Sequence, residues 1–243
     1  SRIPDASGWM MMGGGVVALI IFWLFEKKST MPVIDTKLFT HNRLFAFSNL
    51  AALINYSATS AIVFFLSLFL QKIQGLTPRQ TGTILIAQPI IMTIFSPIVG
   101  RLSDRIQPRI FSTIGMTMCS LGLVAMAHFS TTTPVWMIVT VLVWVGLGFA
   151  FFSSPNMNTI MSSVSKNQYG LASGTAASMR VIGQITSMTI ATLYFAGLFG
   201  GETIEAVPDY LFLTAMKWGF ISFALISIIG IYFSFNRGTM KRE

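Results

Sequence analysis

The chain has 243 residues, of which 53% are hydrophobic and only 10% charged. Soluble domains carry about 25% charged residues, so a water-facing surface of this size lacks the charge it needs; an ordinary soluble enzyme, a nucleic-acid-binding domain and a disordered tail are excluded. The net charge of +8 is scattered between long uncharged runs and points to an anionic membrane surface rather than to nucleic acid.

Seven runs have the length of a membrane helix, about 20 mostly apolar residues: 8–25, 44–70, 80–100, 110–128, 134–163, 170–199 and 211–235. They lack period-2 alternation and are too long for barrel strands. The fold class read from them is all-α and integral to the membrane. Ser1 leads into the first run without a basic n-region or a small-residue cleavage site, so a signal peptide is not expected, and the sequence reads as a fragment of a longer protein. A stretch at 26–43 with Glu26, Lys27, Lys28, Pro32 and Asp35 reads as an amphipathic linker at the inner membrane surface. The expected organisation is one extra transmembrane helix (1–25), that linker (26–43), a six-helix bundle (44–235) and a tail (236–243).

Lysine and arginine set the orientation, because cytoplasmic segments are enriched in them. One side holds 11 of the 16, namely Lys27, Lys28, Lys37, Arg43, Arg101, Arg105, Arg109, Lys166, Arg237, Lys241 and Arg242. The other holds 3, namely Arg2, Lys72 and Arg79, together with the acids Glu202, Glu205 and Asp209. The basic side is therefore expected to be cytoplasmic, with residue 1 outside, residue 243 inside, and a multi-pass location in the plasma or inner membrane. Only Arg180 and Lys217 fall within runs.

In run 44–70, Asn49, Tyr56, Ser60 and Ser67 fall within about 40° of one another at 100° per residue. This polar stripe on a Phe/Leu/Ile helix suits a cavity for amphipathic or aromatic substrates; routine interhelical hydrogen bonding is the alternative. Run 80–100 contains Pro89 and Pro97. After it comes Gly100-Arg101-Leu102-Ser103-Asp104-Arg105-Ile106-Gln107-Pro108-Arg109. There Gly100 lets helix ends approach, Asp104 is short enough to cap amides at a helix start, and Arg101, Arg105 and Arg109 hold the loop to the inner leaflet and can pair with Asp104. Pro108 suits a first helical position. Cys119 is the one cysteine and reads as a small buried hydrophobe.

G-x-x-x-D-R-x-x-P-R between two spans resembles the signature loop of the major facilitator superfamily, in the copy that recurs in the C-terminal half. The linker Glu26 to Arg43, then FFSSPNMNTIMSSV (151–164) and GLASGTAASMRVIGQ (170–184), resemble the C-terminal part of the fourteen-span EmrB/QacA drug-resistance subfamily. The resemblance implies that 8–25 is the second of two extra helices and 44–235 the whole C-terminal bundle. It also implies that the loop is a conformational gate, with Gly100, Asp104 and Arg105 contacting the other bundle to stabilise the outward-facing state.

In run 134–163, Pro155 interrupts a helix whose loosened backbone groups Asn156, Asn158 and Thr159 can take up; a kink that bends during transport and a merely tolerated proline are both open. In run 170–199, Ser173, Arg180, Gln184, Ser187 and Tyr194 share a face. Arg180 lies about 15 Å from Gly170, near mid-bilayer, where an arginine costs at least ~2.5 kcal/mol unless paired or hydrated. It is a functional candidate, or a structural arginine bonded to neighbouring carbonyls. Gly170-x-x-x-Gly174 with Ala176 and Ala177 offers a small-residue face for close packing. Lys217 is expected to snorkel to the outer interface, and His41 and His128 lie at run edges.

No Asp or Glu lies within the bundle runs, so the protonatable carboxylate of a proton-coupled carrier is expected in an N-terminal half. There is no G-x-x-x-x-G-K-[ST], no metal-ligand cluster and no nucleophile–base pair, so neither enzyme chemistry nor a cofactor is expected. The expected function is part of a secondary transporter using alternating access, exporting lipophilic or cationic drugs in exchange for protons. Its soft Phe/Met lining suits varied ligands. The alternatives are a specific metabolite or antibiotic exporter or symporter and, in a different class, a non-transporting membrane scaffold. Substrate-pathway candidates are Asn49, Tyr56, Ser60, Asn156, Arg180 and Gln184. Gate candidates are Gly100, Arg101, Asp104, Arg105 and Arg109. The expected partners are an N-terminal six-helix half of the same protein, a small-molecule substrate, protons and lipid.

Overall fold

The computed structural model describes Gly14, Val17, residues 36–199, Ile204 and residues 206–239. The run at 8–25, most of the linker, Glu202, Glu205 and the last residues of the tail lie outside the described residues. Short α1 (Thr36–His41) leads into α2 (Arg43–Thr59), α3 (Ile62–Leu68) and a π-helical turn at Phe69–Ile73. Then follow α4 (Pro78–Leu85), α5 (Ala87–Ser103), α6 (Pro108–Met126), α7 (Val135–Ser162), a 3₁₀ turn at Lys166–Gln168, α8 (Tyr169–Phe199) and α9 (Asp209–Asn236). Among the described residues there is no strand. Among the described residues, six helical stretches are long and apolar enough to cross a membrane: Arg43–Ile73, Pro78–Ser103, Pro108–Met126, Val135–Ser162, Lys166–Phe199 and Asp209–Asn236. The chain is an all-α membrane bundle.

Local chemistry sets the helix ends. Asn42 Oδ1 accepts from Phe45 N at 3.0 Å and so caps α2. Thr77 and Gln80 form a reciprocal capping box ahead of α4, with Pro78 at its first turn. Run 44–70 is not one continuous helix, as its composition suggested. Ser57 Oγ and Thr59 Oγ1 bond back to Leu53 O and Asn55 O at 2.8 and 2.7 Å, a pattern that bends helices. The helix then breaks at Ser60–Ala61, and Ser187 Oγ of α8 accepts from the freed Ala61 N at 2.9 Å. Run 80–100 likewise divides, at Ile86. Pro97 and Pro155 are accommodated within α5 and α7.

The main helix contacts run α5–α7–α6–α9–α2–α8, with α2 also touching α7 and α8 also touching α9 and α7. Small residues bring backbones together where lipid offers no hydrophobic drive for association. A Cβ on Gly115 of α6 would stand 2.5 Å from Gly148 O of α7, and one on Gly148 would stand 2.8 Å from Cys119 Sγ. An aromatic cluster fills the end of the bundle away from the arginine-rich loop. Phe65 lies within 6.3 Å, centroid to centroid, of Phe64, Phe195, Phe220 and Phe223, and Phe195 stacks on Phe199 at 4.7 Å. At that end Lys72 pairs with Asp209 at 3.6 Å. The helices at the two ends of that sequence of contacts are the least covered. Only 6% of the apolar window of Pro78–Ser103 and 22% of that of Lys166–Phe199 is buried, against 39–56% in the other four.

Candidate functional site

A cavity of about 320 Å³ lies between α2, α7 and α8. Ala52 and Tyr56 come from α2, Phe152, Ser153, Asn156, Met157 and Ile160 from α7, and Ser173, Ala176, Ala177 and Arg180 from α8. Close packing at Gly183 sets its depth. A Cβ there would meet Leu53 O at 2.6 Å, Tyr56 Cβ at 2.9 Å and Ser57 N at 3.1 Å, so only glycine lets α8 lie this near to α2. Three of the six expected pathway residues, Tyr56, Asn156 and Arg180, are thereby brought together.

The other three lie elsewhere. Asn49 is fully buried in the bundle and donates to Phe45 O of its own helix at 3.0 Å. Ser60 is at the break after α2, outside the cavity lining. Gln184 lines a separate, open groove along α8 with Ile185, Met188, Thr189, Thr192 and Leu193. The expected polar face of α8 therefore splits. Ser173 and Arg180 face the cavity, whereas Ser187 turns inward to Ala61 and Tyr194 to Ser222.

Arg180 is exposed and lines the cavity; among the described residues it has no hydrogen-bond or ion-pair partner. Asn156 is buried, and its amide is used for structure. Its Nδ2 donates to Ser48 O of α2 at 3.1 Å, and its Oδ1 accepts from Arg237 Nη1 at 2.8 Å. It ties α7 to α2 and α9, not to the backbone loosened by Pro155.

Arg237 was counted among the charges of a surface segment; the structure buries it, at 1% exposure. It stands one residue past α9. Besides Asn156 it donates to Ser112 Oγ of α6 at 3.0 Å and to Ser48 Oγ at 3.4 Å. One guanidinium thus pins the ends of α2, α6, α7 and α9 through neutral acceptors. The negative end of the α9 dipole favours a cation here. Burial first, and then the like charge of Arg109, lowers its pKa to about 9, so it stays charged at neutral pH.

The arginine-rich loop lies at the same end. A Cβ on Gly100 would stand 2.7 Å from Ser154 Oγ of α7, a close approach of the kind its sequence context suggested. Asp104 does not cap the start of the next helix. It is the C-cap residue of α5, Gln107 is the N-cap of α6 without a side-chain cap, and Asp104 Oδ1 accepts from Asn158 Nδ2 at 3.4 Å. Pro108 does occupy the first turn of α6. Arg101 and Arg105 are exposed, and the Arg109 guanidinium lies 6.0 Å from the Phe235 ring centroid. Asn42 Nδ2 meanwhile donates to Ser163 O at 2.6 Å. The last two turns of α7 are thus held from α5, α2 and α9 together. Among the described residues Gly170 and Gly174 have open space beside them, since a Cβ at either finds no atom within 4 Å. The small-residue row that does pack is Gly183, Ser187 and Ala191, all buried. Its i, i+4, i+8 spacing is the signal that could have identified it.

A family model described as Major Facilitator Superfamily matches residues 5–188 and, in an overlapping match, 48–241. The chain is similar to the riboflavin transporter RibZ of Clostridioides difficile (strain 630), with 31% identity over 188 residues, covering 76% of this chain and 40% of that protein. It is 28% identical over 205 residues to the multidrug resistance protein Stp of Mycobacterium tuberculosis (strain CDC 1551 / Oshkosh), covering 82% and 38%. A tetracycline resistance determinant of Streptomyces rimosus is 35% identical over 130 residues, covering 51% and 36%. The chain spans about two fifths of the length of the first two of these relatives.

Proposed function

The chain belongs to the Major Facilitator Superfamily, and from that premise we propose that it is the C-terminal half of a secondary transporter that works by alternating access. Residues 44–235 form the transport bundle, 1–25 an extra transmembrane helix and 26–43 a linker at the inner surface. The basic end, with Arg101, Arg105 and Arg109, faces the cytoplasm. An N-terminal six-helix half covers the exposed faces of α5 and α8 and completes the cavity. The loop Gly100–Arg109 gates the cytoplasmic side through Asp104 and Arg105.

The observation that carries this reading is the cavity between α2, α7 and α8, which joins Tyr56, Asn156 and Arg180 in a mixed polar and apolar wall. A helix bundle acting only as a scaffold has no use for an unpaired arginine on such a wall. Multidrug export in exchange for protons fits the resemblance to the EmrB/QacA subfamily and the similarity to Stp. The protonatable carboxylate then belongs to the N-terminal half. A specific metabolite or antibiotic exporter or symporter is the second reading, favoured by 31% identity to a riboflavin transporter.

Arg180→Ala tests the site. In the full-length protein reconstituted into vesicles, it should abolish dye transport driven by an imposed pH gradient while leaving membrane insertion intact. Full activity of the variant removes Arg180 from the site.

A further inference from the structure

The cavity wall carries a charge whose sign has a consequence for what it binds. We propose that the wall supplied by this chain is an anion-selective subsite, taking amphipathic substrates by an anionic oxygen group held against Arg180. The apolar part of the substrate packs on Tyr56 and Met157. The proposal rests on the reading of this cavity as the transport site.

Three observations point the same way. Arg180 lines the cavity with no acid paired to it among the described residues, and every other lining residue is neutral. Behind the wall stands a second cation, Arg237, donating at 2.8 Å to the Oδ1 of the lining residue Asn156. Its three acceptors, Asn156, Ser112 and Ser48, are all neutral, so none of them cancels its charge. Finally, between residues 36 and 201 the sequence contains one acid, Asp104, exposed in the basic-end loop and away from the cavity lining.

Two like charges with no counter-charge from this chain attract an anion and repel a cation, the more strongly once a closed cavity excludes water. The planar guanidinium of Arg180 also offers paired donors matched to two oxygens. Tyr56 and Met157 supply apolar surface, and Ser153 and Ser173 supply hydroxyl groups for the neutral polar edges of a ligand.

The test uses the full-length protein in uncharged maltoside micelles and two dyes on one xanthene frame, a fluorescein dianion and a rhodamine cation. Binding is read by fluorescence polarisation. The expected result is that fluorescein binds at least about tenfold more tightly than the rhodamine. Arg180→Gln should remove about tenfold of that preference and Arg180→Lys should keep most of it. Arg180 is exposed, so neither substitution disturbs the buried bundle. Rhodamine binding as tight as fluorescein, no fluorescein binding, or an unchanged preference in Arg180→Gln each overturns the proposal. Vesicle transport separates the two readings. Movement of the rhodamine with no anion preference sinks the anion subsite and leaves transport standing. Tight fluorescein binding with movement of neither dye keeps the subsite and sinks transport.

Discussion

Replacing Gly183 by alanine should loosen α2 from α8 and reshape the cavity wall. The added Cβ would lie 2.6 Å from the Leu53 carbonyl oxygen, whereas ordinary contact begins at 3.4 Å. The obstacle is backbone and cannot swing aside, so the two helices must part by about 0.8 Å. One turn along α8, Ser187 Oγ holds Ala61 N at 2.9 Å. A rigid parting of that size stretches this bond to about 3.7 Å, past hydrogen-bond range. Overpacking costs about 1–3 kcal/mol, and a buried amide left unpaired costs about 1–3 kcal/mol more. The sum, roughly 2–6 kcal/mol, is a large part of a typical protein's stability. Thermal unfolding of the full-length protein in detergent, followed by tryptophan fluorescence, should show Tm lower by at least about 2 °C. Ser187→Ala alone removes the same hydrogen bond, so the double variant should lose less than the sum of the singles. A Gly183→Ala protein that melts with the parent, or strict additivity in the double variant, refutes this account of the packing.

Arg237→Ala strips the donor from Asn156, Ser112 and Ser48 and leaves a void, so it should destabilise by about 2–4 kcal/mol in the same assay. Arg237→Met fills the space without a charge to bury and should lose less; equal melting of the alanine variant and the parent speaks against the knot. Asp104→Asn should slow turnover more than it weakens substrate binding, and Asn158→Leu, which removes the Asp104 partner, should act in the same direction. A pure binding defect in either variant counts against the gate. A Cβ at Gly174 finds no atom of the described residues within 4 Å, so Gly174→Leu starts from open space and should spare the fold yet impair transport by blocking the N-terminal half. Normal transport by this variant places that half elsewhere.

The spans were legible because membrane helices announce themselves by length and hydropathy, signals that need no tertiary information. The close approach at Gly100 was legible too, since a glycine ahead of a charged loop is a local feature. The breaks at Ser60–Ala61 and Ile86 were not, because a hydropathy window averages over them. Asp104 was read as a cap because an aspartate before a helix suits that role, but the loop runs three residues further and places it at the end of α5. Arg237 was the largest miss. Counting charges at span ends treats every arginine there as wet, yet the acceptors that bury this one lie 189, 125 and 81 residues away in sequence. Within the candidate site, periodicity gathered the right helix face but not the finer turn. A face about 60° wide on α8 includes both the cavity and the packing seam, and so it joined Arg180 to Ser187 and to Gln184.

The knot at Arg237 also bears on the order in which the bundle is made. Its acceptors sit on α2, α6 and α7, all synthesised before α9, while the donor follows α9 itself. Until α9 has been threaded into the membrane, Ser112 and the Oδ1 of Asn156 lack the partner they have in the finished fold. The bonds from Asn156 Nδ2 to Ser48 O and from Asn42 Nδ2 to Ser163 O already tie α2 to α7 at this end, and the guanidinium that arrives with α9 adds the tie to Ser112 of α6. A bundle cut short before Arg237 should be looser, and more open to quality-control proteases at its basic end, than one that includes it.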